Sequence, residues 1–167
     1  GRSIQAMIDY SRLGQDFNLE EVDLNKAIND VLFELDEMIS KVDVEIDVKD
    51  LGSLTVFVKD FQLLFAHLID NAIRYRNRDI KLEIAISRRD IDDFAVFYIK
   101  DNGVGIEESN QERIFQIFQT LNADNERKGI GLAHCSKIAE LHKGDISVES
   151  ALGAGCVFVV RISKNLI

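Results

Sequence analysis

Three short stretches of this 167-residue chain hold the side chains best suited to chemistry. The first is Phe61–Arg78, FQLLFAHLIDNAIRYRNR. A helix there, at about 100° per residue, puts His67, Asp70, Asn71, Arg74 and Arg78 within roughly a third of its circumference. Leu64, Phe65, Leu68, Ile69, Ala72, Ile73 and Tyr75 cover the inner arc. An amide, a carboxyl, an imidazole and two guanidiniums on so apolar a helix are costly to bury without partners, so the stripe is expected to border a polar ligand. Within it, the Asn71 amide oxygen can coordinate a Mg²⁺ that otherwise keeps waters and phosphate oxygens. Arg74, one turn on, can pair with phosphates.

The second stretch is Asp101-Asn102-Gly103-Val104-Gly105. A carboxylate at a strand end, followed by two glycines one residue apart, offers an acceptor beside backbone that a flat ligand can approach closely. An adenine amino group would satisfy that carboxylate. Asp-Asn-Gly is also a strong turn signal, and taken alone the segment reads first as a plain loop. The third is Gly129-Ile130-Gly131 at the head of a helix, where unpaired N–H groups and the positive helix end favour phosphate. It is neither a P-loop, for Gly-Lys-Ser/Thr is absent, nor the dinucleotide fingerprint, for no third glycine follows. Alone it too is an ordinary loop.

The elements that must position these residues follow from periodicity. Ser3–Leu13 places Ile4, Met7 and Ile8 on one face with Gly14 as a stop, and reads as the end of a longer helix. Leu24–Met38 is predicted helical with Asp23 as cap. Val42–Val48 alternates as a strand, and Leu54–Val58 is read as its neighbour. Ile80–Ser87 and Phe94–Lys100 are two strands joined by a turn at Arg88–Asp93. Ser109-Asn110-Gln111-Glu112 has capping-box spacing ahead of Ile114, Phe115, Ile117 and Phe118. Thr120–Lys128 has almost nothing apolar and is expected to be a mobile loop. A helix from Gly129 to about Leu141 turns Leu132, Cys135, Ile138 and Ala139 inward and stops at Lys143-Gly144. The strands Asp145–Ser150 and Cys156–Ile162 close the chain across a Gly153-Ala154-Gly155 hairpin. About six strands interleaved with helices predict an α+β fold, a two-layer α/β sandwich: one mixed, mostly antiparallel sheet with its helices on a single face.

Composition bounds the class. With 46% hydrophobic residues the chain suits one domain with a sizeable core. No run approaches the roughly 18 apolar residues that cross a bilayer, and the N-terminus lacks signal-peptide order, so the expectation is soluble and cytoplasmic, without membrane contact. A net charge of −9 argues against nucleic acid or an anionic membrane as general partner. Cys135 and Cys156 read as buried small hydrophobes rather than a disulfide or metal pair.

In combination the motifs resemble a known family. His67-Leu68-Ile69-Asp70-Asn71-Ala72-Ile73-Arg74-Tyr75 is similar to the N box of sensor histidine kinase ATP-binding domains. Asp101–Gly105 resembles their first glycine box, Ile114-Phe115-Gln116-Ile117-Phe118 their F box, and Gly129-Ile130-Gly131-Leu132 their second glycine box. These domains belong to the Bergerat-fold superfamily, and the likeness runs from about Val22 to Ile162. Met7–Leu13 resembles the end of the dimerisation hairpin that precedes such domains.

The resemblance implies residues 1–14 as the end of the dimerisation and phosphoacceptor helix and 15–167 as the ATP-binding catalytic domain, with a mobile lid over about 107–128. It implies ATP and Mg²⁺ as cofactors, Asp101 on the adenine amino group, Tyr75 against the base, and Gly103 and Gly105 shaping the pocket. Asn71 would hold the metal, Arg74 and Lys128 would face phosphate, and Gly129, Gly131 and Leu132 would line the phosphate side. His67 and Arg74 are the expected catalytic side chains, and Phe115 and Phe118 would anchor the lid. The reaction implied is transfer of the γ-phosphoryl group to a histidine on the protein's own dimerisation domain, in a homodimer, then to the receiver domain of a response regulator. His67 stands where the family usually has asparagine, Arg127 and Lys128 replace the first glycine and small residue of the usual Gly-x-Gly-x-Gly start, and Cys156 replaces a common threonine. The alternative is a degenerate domain that docks a response regulator without turnover. A serine kinase of the anti-sigma-factor type is a third reading, opposed by the Met7–Leu13 helix end.

Overall fold

The computed structural model describes residues 19–106, 111, 126–150 and 153–166. Helix α1 (Leu24–Glu34) starts where Asp23 caps it, the carboxylate accepting from the N–H groups of Asn25 at 3.0 Å and Lys26 at 3.3 Å. Leu24, Ala27, Ile28 and Val31 recur at three- and four-residue steps and are buried. The helix predicted over Leu24–Met38 is interrupted at Leu35 (φ −91°, ψ 7°). The short α2 (Asp36–Ser40) then begins with Asp36 and Glu37 in its first turn, where carboxylates suit unpaired N–H groups.

Strand β1 (Leu19–Asp23) precedes α1; β2 (Val44–Val48), β3 (Ser53–Phe57) and α3 (Val58–Arg74) follow α2. The hairpin of β4 (Leu82–Ile91) and β5 (Phe94–Asp101), helix α4 (Glu126–Leu141), and the hairpin of β6 (Asp145–Ser150) and β7 (Cys156–Ser163) complete the order. Five strands form one mixed sheet, β2-β4-β5-β7-β6, parallel only between β2 and β4.

One expectation about the strands needs correction. β3 is not the neighbour of β2: it pairs antiparallel with β1, Leu19 opposite Phe57 and Asp23 opposite Ser53, in a separate two-stranded sheet. β1 itself escaped the sequence reading because LEEVD is too short and too acidic to show alternation. The linker after β2 supplies the reason. The Asn25 side chain donates to the Lys49 carbonyl at 2.9 Å and accepts from the Leu51 N–H at 2.7 Å, while the Arg88 guanidinium donates to the carbonyls of Leu51 and Ser53, both at 2.8 Å. Pinned to α1 and β4, this linker cannot close as a hairpin turn.

Alternate residues of the central strands face the helices, so Leu82, Ile84, Ile86, Ala95, Phe97, Ile99, Phe158, Val160 and Ile162 are buried. With the apolar face of α3 and Cys135 and Ile138 of α4 they form one core. In it Phe61, Phe65 and Phe97 pack with centroids 4.8 to 5.8 Å apart, at tilted or edge-on angles. Both cysteines are buried, as expected. Burial pushes the Cys135 thiol far above its ordinary range, which makes it unreactive.

The predicted helix over Ser3–Leu13, the helix carrying Phe115 and Phe118, and most of the expected lid lie outside the described residues. Among the described residues no helix is long and apolar enough to cross a membrane.

His142 ties the end of α4 to the start of α3. Its Nδ1 donates to the Ile138 carbonyl at 2.8 Å and its Nε2 accepts from the Phe57 N–H at 3.1 Å, with the Phe57 ring edge-on at 5.4 Å. A proton on Nε2 would face that N–H, so the folded state needs the neutral ring. Burial lowers the His142 pKa below its ordinary 6.5, against the opposing pull of the Ile138 carbonyl. The unfolded chain therefore takes up this proton at higher pH than the folded one, and stability is lost as pH falls below 6.5. Urea unfolding is expected to give a lower midpoint at about pH 5.5 than at about pH 7.5. His142→Phe, which leaves the Phe57 N–H unpaired, is expected to cost about 1–3 kcal/mol at the higher pH and to shrink the acid-side loss. An acid-side loss as large in the variant as in the parent would show that another group carries it.

Candidate functional site

β5 ends on Asp101, which is only 7% exposed. Its Oδ1 accepts from the Gly103 N–H at 2.9 Å and from the Cys156 N–H at 3.3 Å, joining the loop after β5 to the start of β7. Two further elements close on that loop. The Val104 N–H donates to the Tyr75 carbonyl at 3.2 Å, and the Val104 carbonyl accepts from the Gly153 N–H at 2.7 Å. Ser150 Oγ accepts from the Ile106 N–H at 2.8 Å and donates to the Gly155 carbonyl at 2.7 Å.

Close approach dictates two of the glycines here. A Cβ on Gly103 would stand 2.8 Å from the Tyr75 carbonyl oxygen and 3.0 Å from Asp101 Oδ1. Gly155, at φ +78°, has the Asp101 backbone carbonyl where its Cβ would go. Asn102 serves the sheet instead, accepting from the Glu83 N–H at 2.8 Å and donating to the Lys81 carbonyl at 3.0 Å.

The polar stripe lies on α3, which ends at Arg74 with Tyr75 as C-cap. Arg76 donates to the Ile73 carbonyl at 2.7 Å and helps stop the helix there. Arg78, expected on the stripe, therefore falls beyond the helix and is exposed. Asn71 is 7% exposed and its Oδ1 has no hydrogen-bond partner. A buried acceptor left unpaired costs about 1–3 kcal/mol, and an amide oxygen is the kind of donor a hard cation takes. Arg74 Nη2 pairs with Asp70 Oδ2 at 3.1 Å, one turn back. Partly exposed pairs of this kind are weak, so little is lost when the guanidinium turns to a stronger anion.

The sequence places the next helix start at Gly129; the structure starts α4 at Glu126. Glu126, Arg127 and Lys128 are good helix formers and carry the helix through two glycines that cost about 1 kcal/mol each. Lys128 and Gly129 thus belong to its first turn, not to a loop before it. Gly131 is buried where α4 crosses α3, and a Cβ there would meet His67 Nδ1 at 3.2 Å. His67 Nε2 lies 3.1 Å from Nδ1 of His134, a fully buried ring, and Cys135 Sγ donates to the Leu64 carbonyl at 3.7 Å. Leu132, expected on the phosphate side, is packed in the core, which leaves only its backbone to serve there.

The partner of His67 went unnoticed in the sequence. A signal was present, since Gly131, His134, Cys135 and Ile138 follow the three- and four-residue spacing of an inward face.

Helix α3 is the common wall. Gly103 and Val104 meet it at Tyr75, Gly131 meets it at His67, and Asn71 lies midway along a span of about 12 Å. A cavity of about 480 Å³ opens at the end of β5, lined by Glu45, Asp47, Glu83, Lys100, Asp101 and Asn102 among others. It shares Asp101 with the site but not Asn71, Tyr75 or Gly131, and its acidic rim repels phosphate.

Residues 58–166 match a family model described as histidine kinase-, DNA gyrase B- and HSP90-like ATPase. The chain belongs to this ATPase family. Cyanobacterial phytochrome A of Nostoc sp. is 36% identical over 168 residues, which is 95% of this chain and 22% of that protein. Sensor histidine kinase RppB of Synechocystis sp. is 32% identical over 97% of this chain and 38% of its own length. The catalytic domain of histidine kinase ThkA aligns with a TM-score of 0.74 at 27% identity, over 88% of this chain and 96% of that one. The chain thus spans well under half of these curated relatives, and the part it spans is homologous to the ATP-binding domain of sensor histidine kinases. Its two-layer sandwich is their Bergerat fold.

The Asp101 corner makes a paired steric prediction. Gly153 (φ +81°) and Gly155 (φ +78°) are both in the left-handed region, but only the second has backbone in the way of a Cβ. Gly153→Ala is expected to cost about 1–2 kcal/mol in urea unfolding. Gly155→Ala is expected to cost clearly more and to displace Asp101; equal losses would show that the corner yields.

Proposed function

We propose that this domain binds ATP with Mg²⁺ and supplies the γ-phosphoryl group to a histidine on a dimerisation domain of a cytoplasmic, homodimeric sensor histidine kinase. From that histidine the group passes to an aspartate on the receiver domain of a response regulator. What supports this reading is that the loop after Asp101 meets α3 at Tyr75 and Gly131 meets it at His67, on either side of Asn71, in a chain of this ATPase family.

Asp101 accepts from the adenine amino group, Tyr75 lies against the base, and Gly103 and Gly105 let base and backbone come close. Arg74, Lys128 and the N–H groups of the first turn of α4, with Gly129 and Gly131, oppose the charge of the phosphates. Asn71 Oδ1, buried and without a partner, fits a Mg²⁺ ligand. When bound, that ion neutralises charge between the phosphates. No strong nucleophile is required of this domain, because phosphoryl transfer is driven by positioning and charge neutralisation. His134 and His142 are fully buried and His67 is turned to His134, so none of the three suits the role of phosphoacceptor. The chain by itself is expected not to autophosphorylate.

A second reading, a platform that docks a response regulator without turnover, is favoured by the same His67–His134 contact, which turns His67 away from metal duty and leaves it to Asn71. Titration calorimetry separates the two. ATP is expected to bind in Mg²⁺, Asp101→Asn to abolish binding, and Asn71→Asp to change mainly the Mg²⁺ dependence. Absence of binding at about millimolar ATP with Mg²⁺ would remove the kinase reading. Binding indifferent to Mg²⁺ would favour the platform.

A further inference from the structure

We propose that the free edge of β2 docks an extended segment of another protein, one that carries basic side chains at every second position and apolar ones between. This edge lies outside the nucleotide-binding residues and meets them only through the cavity wall at Asp101.

The order β2-β4-β5-β7-β6 leaves β2 and β6 at the ends of the sheet. Helix α4 packs on β6, whereas the close neighbour of β2 is β4. The Asp43 carbonyl takes the Leu82 N–H at 3.0 Å, and the Lys49 N–H reaches the Ile86 carbonyl at 2.9 Å. In a parallel pair the N–H and C=O of one residue point to the same side and those of the next to the other, so Asp43, Glu45, Asp47 and Lys49 are turned to β4. Val44, Ile46 and Val48 turn theirs outward, as a row of donors and acceptors that water or another strand must satisfy.

The side chains decide what kind of strand fits. On the helix side Val44, Ile46 and Val48 pack against the core but stay only half-buried, whereas Leu82, Ile84 and Ile86, one strand inward, are no more than 1% exposed. A strand added outside β2 continues that apolar layer with every second side chain. On the open side Glu45 and Asp47 are exposed, and Glu83 stands directly opposite Glu45. These three line the cavity of about 480 Å³, with Lys100 on its far wall. Like charges directly opposite one another destabilise a sheet. Among the described residues neither Glu45 nor Glu83 has an ion-pair partner, and the Asp47–Lys49 pair at 2.7 Å is more than half exposed and therefore weak. Basic side chains on the open side of an added strand relieve that repulsion. A second copy of this chain does the opposite, since two β2 edges side by side set Glu45 and Asp47 against themselves. The partner is thus a different chain, and the net charge of −9 here draws a basic one.

The test uses two synthetic peptides of about nine residues, one alternating lysine with valine and the other glutamate with valine. Amide hydrogen exchange is read by NMR on the chain alone and with each peptide. The lysine peptide is expected to protect the N–H groups of Val44, Ile46 and Val48 and to leave those of Glu45 and Asp47, already turned to β4, unchanged. The glutamate peptide is expected to protect none of them. Glu45→Lys combined with Glu83→Lys is expected to weaken the lysine peptide about tenfold or more and to admit the glutamate peptide. Ile46→Pro removes an outward N–H where an edge strand tolerates proline, and is expected to abolish the protection while the β4–β5 amides stay as they were. Equal protection by both peptides, protection by neither at about millimolar, or unchanged affinity in the Glu45→Lys, Glu83→Lys variant would overturn the proposal. So would protection of the same amides in the chain alone that rises with its concentration, which would make this edge an interface between copies.

Discussion

One buried carboxylate decides where the loops of this domain go. Asp101 sits almost out of solvent at the end of β5, where an ionised group survives only with hydrogen bonds to offset its lost hydration. Two backbone N–H groups supply them, one from Gly103 and one from Cys156. Those bonds draw together the loop after β5 and the start of β7, and the same loop then reaches the end of α3 through Tyr75. Contacts so short leave no room for side chains at Gly103 and Gly155. The glycines are the geometric consequence of placing an acceptor in a corner built almost wholly of backbone.

Helix α3 spends its two faces differently. One is given to the core, through Phe61, Leu64, Phe65, Leu68 and Ile69. The other carries groups that stability alone does not favour, above all the Asn71 oxygen buried without a partner. A fold tolerates such a cost where function asks for it and anchors the element firmly elsewhere. α3 is anchored at both ends. His142 and the Phe57 N–H hold its start, and the Tyr75 carbonyl takes the Val104 N–H at its finish. Between them α4 crosses at Gly131, where the absence of a side chain lets an imidazole take the space. The polar stripe is thus held by contacts that lie mostly outside it.

Much of this was legible in the residues alone. The amphipathic period of Phe61–Arg74, the alternation along Leu82–Ile86 and Phe94–Lys100, the Asp23 cap and the paired glycines near Asp101 are local signals, each set by neighbours within a few positions. They sufficed for the presence of the long helices and for five strands of the sandwich. Pairing across the chain was another matter. β3 joins β1 rather than β2 because Asn25 and Arg88, far from it in sequence, seize the linker before it. Likewise α4 begins a turn early, since the helix-forming side chains before Gly129 outweigh the two glycines.

Composition, periodicity and the order of the motifs determined the fold class and the family, because those properties reside in short stretches of chain. Only the tertiary structure decided that Arg74 would rest against Asp70, that Leu132 would join the core, and that His67 would find a second imidazole. Each of these outcomes depends on where two helices cross. A crossing is fixed by the packing of the whole core, and no local spacing encodes it.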